Sequence, residues 1–201
     1  MTGIQQDHIH STLANFNDVY GSSKVYKTIK EVAVQLYNST LPYRFVFLTG
    51  QCGSGKTHAL VGLYRLRAHA DEGVLGAEAG LYTPFAMMIE DVIQAIGETH
   101  STRLAVAKYY PVKYLFIDDI SRGERVINPE RIEGQVFRDV LLDRWENCKH
   151  LICTSNYTPA DLQRMIKNVF GDYVLSRVLG SCKFVEFPKG LDMRREGSSK
   201  V

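Results

Sequence analysis

Between Phe45 and Leu60 the chain reads FVFLTGQCGSGKTHAL, and no other stretch restricts the fold so tightly. An unbroken apolar run closes on glycine, passes through a glycine-rich turn, and resumes with helical spacing in THALVGLYRLRA. An apolar run with no polar alternation belongs to a strand covered on both faces, as in a parallel sheet. Gly50, Gln51, Cys52, Gly53, Ser54, Gly55, Lys56 and Thr57 fit the pattern GxxxxGK[ST]. Glycines let the backbone fold back with its amides pointing inward, and the helix that follows adds its positive end, which together suit a phosphate chain. Lys56 brings a cation to the β- and γ-phosphates, and Thr57 offers a hydroxyl to Mg²⁺. His58, next in line, completes the candidate cofactor-binding set. Random composition would produce the pattern in roughly one chain in a hundred of this length, and here it also has the strand before it and the helix after it.

Other apolar runs repeat the alternation of strand and helix. GLYTP, KYLFIDDI, HLICTSN and CKFVEF read as strands. Helical spacing recurs from Ser23 to Asn38 through Val25, Ile29, Val32 and Leu36, again in FAMMIEDVIQAIG, and in Pro129–Asn147 through Ile132, Val136, Val140 and Leu141. Thr158, Pro159 and Asp161 mark a helix start, and FGDYVLSRVLG reads as a short helix closed by Gly180. Glu98–Lys108 has no clear period. The expected fold class is α/β, a three-layer P-loop NTPase core with a mostly parallel sheet. The chain divides into an irregular polar arm (1–17), one core (18–190) and a tail (191–201). His8 and His10 in the arm read as solvated, with metal binding as the other use of such a pair.

Three further positions carry chemistry. Asp118 ends the apolar run YLFIDDI about sixty residues after Lys56, where it would hold the Mg²⁺ shell, and Asp119 would polarise the attacking water. Two acids after a strand also suit a solvated loop. Asn156, at the end of LICTSN, would orient that water or sense the γ-phosphate, and it equally suits a turn before Thr158. Arg177 lies four residues after Tyr173 on a face away from Val174, Leu175 and Val178. It reads either as a finger reaching the γ-phosphate of a neighbouring copy or as a surface arginine stacked on Tyr173. Composition narrows the rest. With 201 residues, 45% hydrophobic and a net charge of +2, the chain forms a core, carries no strong basic signature, and has no run long enough for a membrane helix. Four cysteines without CxxC spacing read as reduced thiols in a cytoplasmic protein.

In this order the loop, FIDDI, TSN and a late SR resemble the AAA+ ATPases, and among them the DnaC/DnaI-type replicative helicase loaders and their IstB-like transposition-helper relatives. TLANFNDVYGSSKVYKTIKEVA is similar to that family's entry segment, and CKFVEFPKGLDMRRE to its closing strand with a GxDxR phrase. The resemblance spans about Leu13 to Glu196. It implies ATP with Mg²⁺, Lys56 and Thr57 as Walker A, Asp118 and Asp119 as Walker B, Asn156 as sensor 1 and Arg177 as the finger. Arg194 stands where the family has a sensor-2-like arginine, with Arg195 beside it as a rival. It further implies ATP-dependent head-to-tail assembly and a replicative DNA helicase as partner, with single-stranded DNA as a second partner through Arg103, Lys108, Arg122 and Arg125. Two departures accompany it: about a dozen polar residues precede the core, where the loaders carry a helicase-gripping domain, and the helical lid is absent or vestigial. An IstB-like adaptor of low turnover shares every site residue. A P-loop kinase would need an arginine-bearing lid over two phosphoryl groups, which TSN and the arginine helix fit poorly.

Overall fold

The apolar runs assemble into a five-stranded sheet in which every pairing is parallel. In this computed structural model the described residues are 4–20, 24–71, 80–99, 101–121 and 131–188. The strands are β1 (Phe45–Thr49), β2 (Gly80–Pro84), β3 (Tyr114–Asp118), β4 (His150–Ser155) and β5 (Cys182–Glu186), in spatial order β2-β3-β4-β1-β5. β1 thus lies between β4 and β5, and its outgoing loop opens beside the tips of β3 and β4. Ligands of open parallel sheets bind at the carboxyl ends of such strands, where the chain direction around the sheet reverses.

Successive strand residues face opposite ways, and the core splits accordingly. Phe45, Phe47, Leu115, Ile117, Leu151 and Cys153 point to one side, against α4 (Phe85–Thr99), α6 (Ile132–Glu146) and α7 (Pro159–Leu179). Val46, Leu48, Tyr114, Phe116, Ile152 and Val185 point to the other, against α1 (Leu13–Tyr20), α2 (Lys24–Tyr37) and α3 (Lys56–Ala70). All of these strand side chains are buried. Each Phe, Leu, Ile or Val so buried contributes on the order of 1.5–3 kcal/mol, so the sheet is held from both faces. The segment of unclear period forms α5 (Thr102–Val106) and a 3₁₀ turn at Ala107–Tyr109, with Ser101 capping α5 by accepting from Leu104 N–H.

α7 contains a break. It begins as expected, with Thr158 Oγ1 accepting from Asp161 N–H at 3.2 Å and donating to the Asp161 carboxylate at 2.7 Å. At Gly171 the backbone takes φ 83° and ψ 172°, and a second short stretch runs to Leu179. The two helices read from the sequence are therefore both present, joined end to end.

The amino-terminal arm departs from expectation. Leu13–Tyr20 is helical rather than irregular, and Phe16 is 1% exposed. Its ring lies 6.2 Å from Phe187 and 5.7 Å from His58, so the helix docks on α3 through Phe16. Gly62 makes the approach possible: a Cβ there would stand 2.9 Å from Leu13 Cδ2 and 3.0 Å from the Leu13 backbone nitrogen. Alanine is the better helix former by about 1 kcal/mol, but overpacking against backbone costs about 1–3 kcal/mol. Gly62→Ala is therefore expected to lower stability in urea unfolding, and an unchanged or raised midpoint would show that α1 does not seat on α3.

Candidate functional site

At the carboxyl ends of β1, β3 and β4 a cleft opens, lined by Cys52, Gly53, Gly55, Lys56, Thr57, His58, Asp118, Asp119, Thr154 and Asn156. The loop after β1 shapes its floor. Gly50, Gly53 and Gly55 have φ of 142°, 78° and 89°, a left-handed range that side chains rarely adopt. At Gly50 a Cβ would also meet the Phe187 carbonyl oxygen at 3.0 Å. α3 starts directly from Gly55 with no side-chain cap, which leaves its first amides to whatever anion occupies the loop. Gln51 and Ser54 are not among the lining residues: Gln51 is exposed and its carbonyl accepts from Ser54 N–H at 3.3 Å, while Ser54 is 1% exposed.

Lys56 is buried, and its ammonium donates to Gly50 O at 2.8 Å and Gln51 O at 2.7 Å. It is thus held over the loop, with its charge at the cleft wall. Thr57 Oγ1 donates to Asp118 Oδ1 at 3.0 Å. Asp118, 5% exposed, also accepts from Thr154 Oγ1 at 2.7 Å and from the Tyr82 hydroxyl at 3.3 Å. Burial first, and then the Asp118 charge, pushes the Tyr82 phenol far above its usual range, so it remains a donor at any working pH. All three partners of this carboxylate are neutral hydroxyls, and among the described residues no lysine or arginine pairs with it.

A buried carboxylate without a countercharge is costly unless a cation joins it. An octahedral Mg²⁺ bound through oxygens at about 2.1 Å places adjacent ligands about 3 Å apart, which is the Thr57–Asp118 separation of 3.0 Å. The donor set is hard oxygen throughout, so these residues fit that ion. No group of three His, Cys, Asp or Glu side chains suited to a metal occurs among the described residues, so a metal here would rely on Thr57, Asp118 and ligand oxygens.

Asp119 has φ 55°, unusual outside glycine, and its carboxylate is turned into the cleft. Its Oδ1 accepts from Ser121 N–H and Oγ at 3.3 Å each and from Asn156 Nδ2 at 3.4 Å. Asn156 N–H in turn donates to Ser121 Oγ at 2.6 Å. The amide and the second acid therefore meet, as their places at the ends of neighbouring strands require.

The amino-terminal segment contributes more than expected. Gln5, His8 and Phe16 line the same cleft. His8 Nδ1 lies 3.1 Å from Ser11 Oγ, which replaces the solvated histidine read from sequence. His58 Nε2 lies 3.0 Å from Thr12 O and 2.7 Å from Asn15 Oδ1, and burial pushes its imidazole below the usual value. His58 thus turns from the loop to tie α1 and the preceding turn to α3.

Arg177 is not part of this cleft within one chain. Its guanidinium lies 3.2 Å from the centre of the Tyr173 ring and donates to Tyr173 O at 3.4 Å. The stacked reading is thus the arrangement seen, with Tyr173 60% exposed. Lys108 is paired with Asp91 at 2.7 Å. Arg122, Arg125, Arg194 and Arg195, and any lid beyond β5, lie outside the described residues. Thr154, Tyr82 and Ser121 escaped the sequence reading. The signal for Thr154 was a hydroxyl near the tip of an otherwise apolar strand.

No family model matches the chain, and no curated protein matches it in sequence. Solved structures do. The DnaC helicase loader superposes with a TM-score of 0.69 at 14% identity, covering 92% of this chain and 100% of that one. DnaI gives 0.65 at 15% identity over 94% of each chain. AMPPCP-bound DnaA from Aquifex aeolicus gives 0.65 at 20% identity, covering 96% of this chain and 55% of that one. The likeness is one of fold: this chain shares the parallel-sheet architecture of these proteins.

Proposed function

We propose that the chain binds ATP with Mg²⁺ in this cleft, hydrolyses it, and uses ATP-dependent head-to-tail assembly to load or remodel a replicative DNA helicase. The observation that carries the reading is the meeting of Lys56, Thr57, Asp118, Asp119 and Asn156 around one glycine-shaped loop. Likeness in fold to a solved chain described as a helicase loader, over the whole of that chain, supports the choice of task. A nucleotide analogue bound to a protein of the same fold supports the choice of ligand.

The loop amides and the Lys56 ammonium would hold the phosphates, and Thr57 and Asp118 would hold the metal, which when bound would supply charge stabilisation to the γ-phosphoryl group. Asp119 takes a proton from the attacking water as its oxygen bonds to the γ-phosphorus and the bridging oxygen leaves with ADP. Asn156 is hydrogen-bonded to that carboxylate and fixes its direction without adding charge. Arg177 serves the site of the next copy. A contact of this kind is heterologous, so it builds a ring or a spiral. Single-stranded DNA is the second proposed partner. The setting is the cytoplasm, and no helix among the described residues is long and apolar enough to cross a membrane.

The test is retention of a purified replicative helicase on immobilised protein, with ATP, with ADP and with neither. Retention in ATP alone is expected. Retention of a transposase instead, with the helicase passing through in every nucleotide, would replace this reading with the adaptor one.

A further inference from the structure

The tip of β4 carries a hydroxyl that touches both acids of the site at once. Asp119 N–H donates to Thr154 Oγ1 at 2.7 Å, and Thr154 Oγ1 donates to Asp118 Oδ1 at 2.7 Å. The direction of this relay is forced. An amide can only donate and an ionised carboxylate can only accept, so the single hydroxyl proton must face Asp118. Thr154 lines the cleft yet is 1% exposed, because both of its hydroxyl bonds are to protein atoms.

The backbone of the same residue completes the grip. The regular ladder between β3 and β4 ends at Ile117 and Cys153, and Ile120 N–H then donates to Thr154 O at 3.1 Å. Asp118 and Asp119 lie between, and Asp119 takes φ 55°. A left-handed aspartate persists only where its surroundings hold it. Two bonds from Thr154, one on each side of the turn, do so. The carboxylate of Asp119 is thereby delivered to Asn156 and Ser121, while the carboxylate of Asp118 is delivered to Thr57.

We propose that Thr154 is a positioning residue that couples the metal-holding acid to the water-activating acid, so that one hydroxyl sets both. This inference rests on the Mg–nucleotide reading above. Partners that orient a metal ligand from behind change metal affinity or activity by about 10- to 100-fold when removed. The coupling makes a specific demand: metal affinity and turnover must fall together, while attachment of the phosphates, which belongs to the loop and Lys56, stays.

The experiment titrates Mn²⁺, followed by its electron paramagnetic resonance, into full-length protein with a non-hydrolysable ATP analogue. Analogue binding without metal and steady-state hydrolysis are measured alongside. Thr154→Val is expected to lose about 10- to 100-fold in Mn²⁺ affinity and a comparable factor in kcat, with metal-free analogue binding within about twofold of wild type. Thr154→Ser is expected to restore both. A valine variant with wild-type Mn²⁺ affinity overturns the proposal. Should the valine variant not fold, the serine variant decides, because it keeps the hydroxyl and must bind Mn²⁺ like wild type; weakened binding there overturns the proposal as well. A wild-type protein that takes up no analogue overturns the nucleotide reading and this inference with it, an outcome distinct from either variant result.

Discussion

Lys56→Ala is expected to abolish measurable binding of Mg-ATP while leaving the fold intact. The Lys56 ammonium is buried and anchored on Gly50 O and Gln51 O, so it is positioned before any ligand arrives. Charge-assisted hydrogen bonds to an ionised group are worth about 1.5–3 kcal/mol each. Losing two or more toward phosphate oxygens lowers affinity by at least about a hundredfold, and by more if the γ-phosphoryl then fails to seat. The main opposing effect is small: removing a buried charge relieves desolvation and leaves two loop carbonyls to water at the cleft wall. Calorimetric titration beside circular dichroism checks the result. Affinity within about threefold of wild type in a folded Lys56→Ala protein would mean that the loop holds no triphosphate.

The second large effect concerns Arg177. An arginine that completes a neighbour's site contributes about 10³- to 10⁵-fold to turnover, and Arg177→Ala is expected to lose at least the lower of these. Nucleotide binding by the single chain should be unchanged, because Arg177 lies on Tyr173 and not in its own cleft. Leaving that ring costs about 0.5–1 kcal/mol at an exposed position. A thousandfold rate effect corresponds to about 4 kcal/mol, so stacking does not keep the guanidinium from a neighbour. Mixing Lys56→Ala with Arg177→Ala protein gives the sharper measurement. Mixed contacts join the intact arginine of one copy to the intact loop of the other, and activity should return in part. An Arg177→Ala protein that hydrolyses ATP at the wild-type rate in the absence of mixing would remove the trans role.

What was legible followed from local pattern. Phe45–Thr49, Tyr114–Asp118 and, from Leu151 on, His150–Ser155 are buried on both faces, and their largely apolar sequences say so directly. Lys56, Thr57, Asp118 and Asn156 share one cleft because each stands at or beyond the carboxyl end of a strand, where parallel topology collects side chains. The amino-terminal helix was missed for the opposite reason. In TLANFNDVY the buried anchor is Phe16, and its docking depends on Gly62, Phe187 and His58, all distant in sequence. Thr154 and Tyr82 were illegible in their functional sense because a threonine or tyrosine in a strand is ordinary by propensity. Only the register that sets their hydroxyls against Asp118 gives them meaning. For Arg177 spacing offered two readings; within one chain the guanidinium stacks on Tyr173, and a reach into a neighbouring copy is a matter of assembly that no single-chain pattern displays.

The break at Gly171 settles how the arginine is aimed. An uninterrupted helix from Pro159 would turn by about 100° per residue, and its bearing at residue 177 would be dictated by the threonine cap far upstream. Gly171 instead adopts torsions that are essentially glycine's alone, although a methyl group there would strike no neighbour within 4 Å. The requirement for glycine is thus one of backbone torsion and not of space. A single pair of dihedral angles works as the elbow that sets the bearing of the short helix carrying Tyr173 and Arg177, independently of the long segment packed on the sheet.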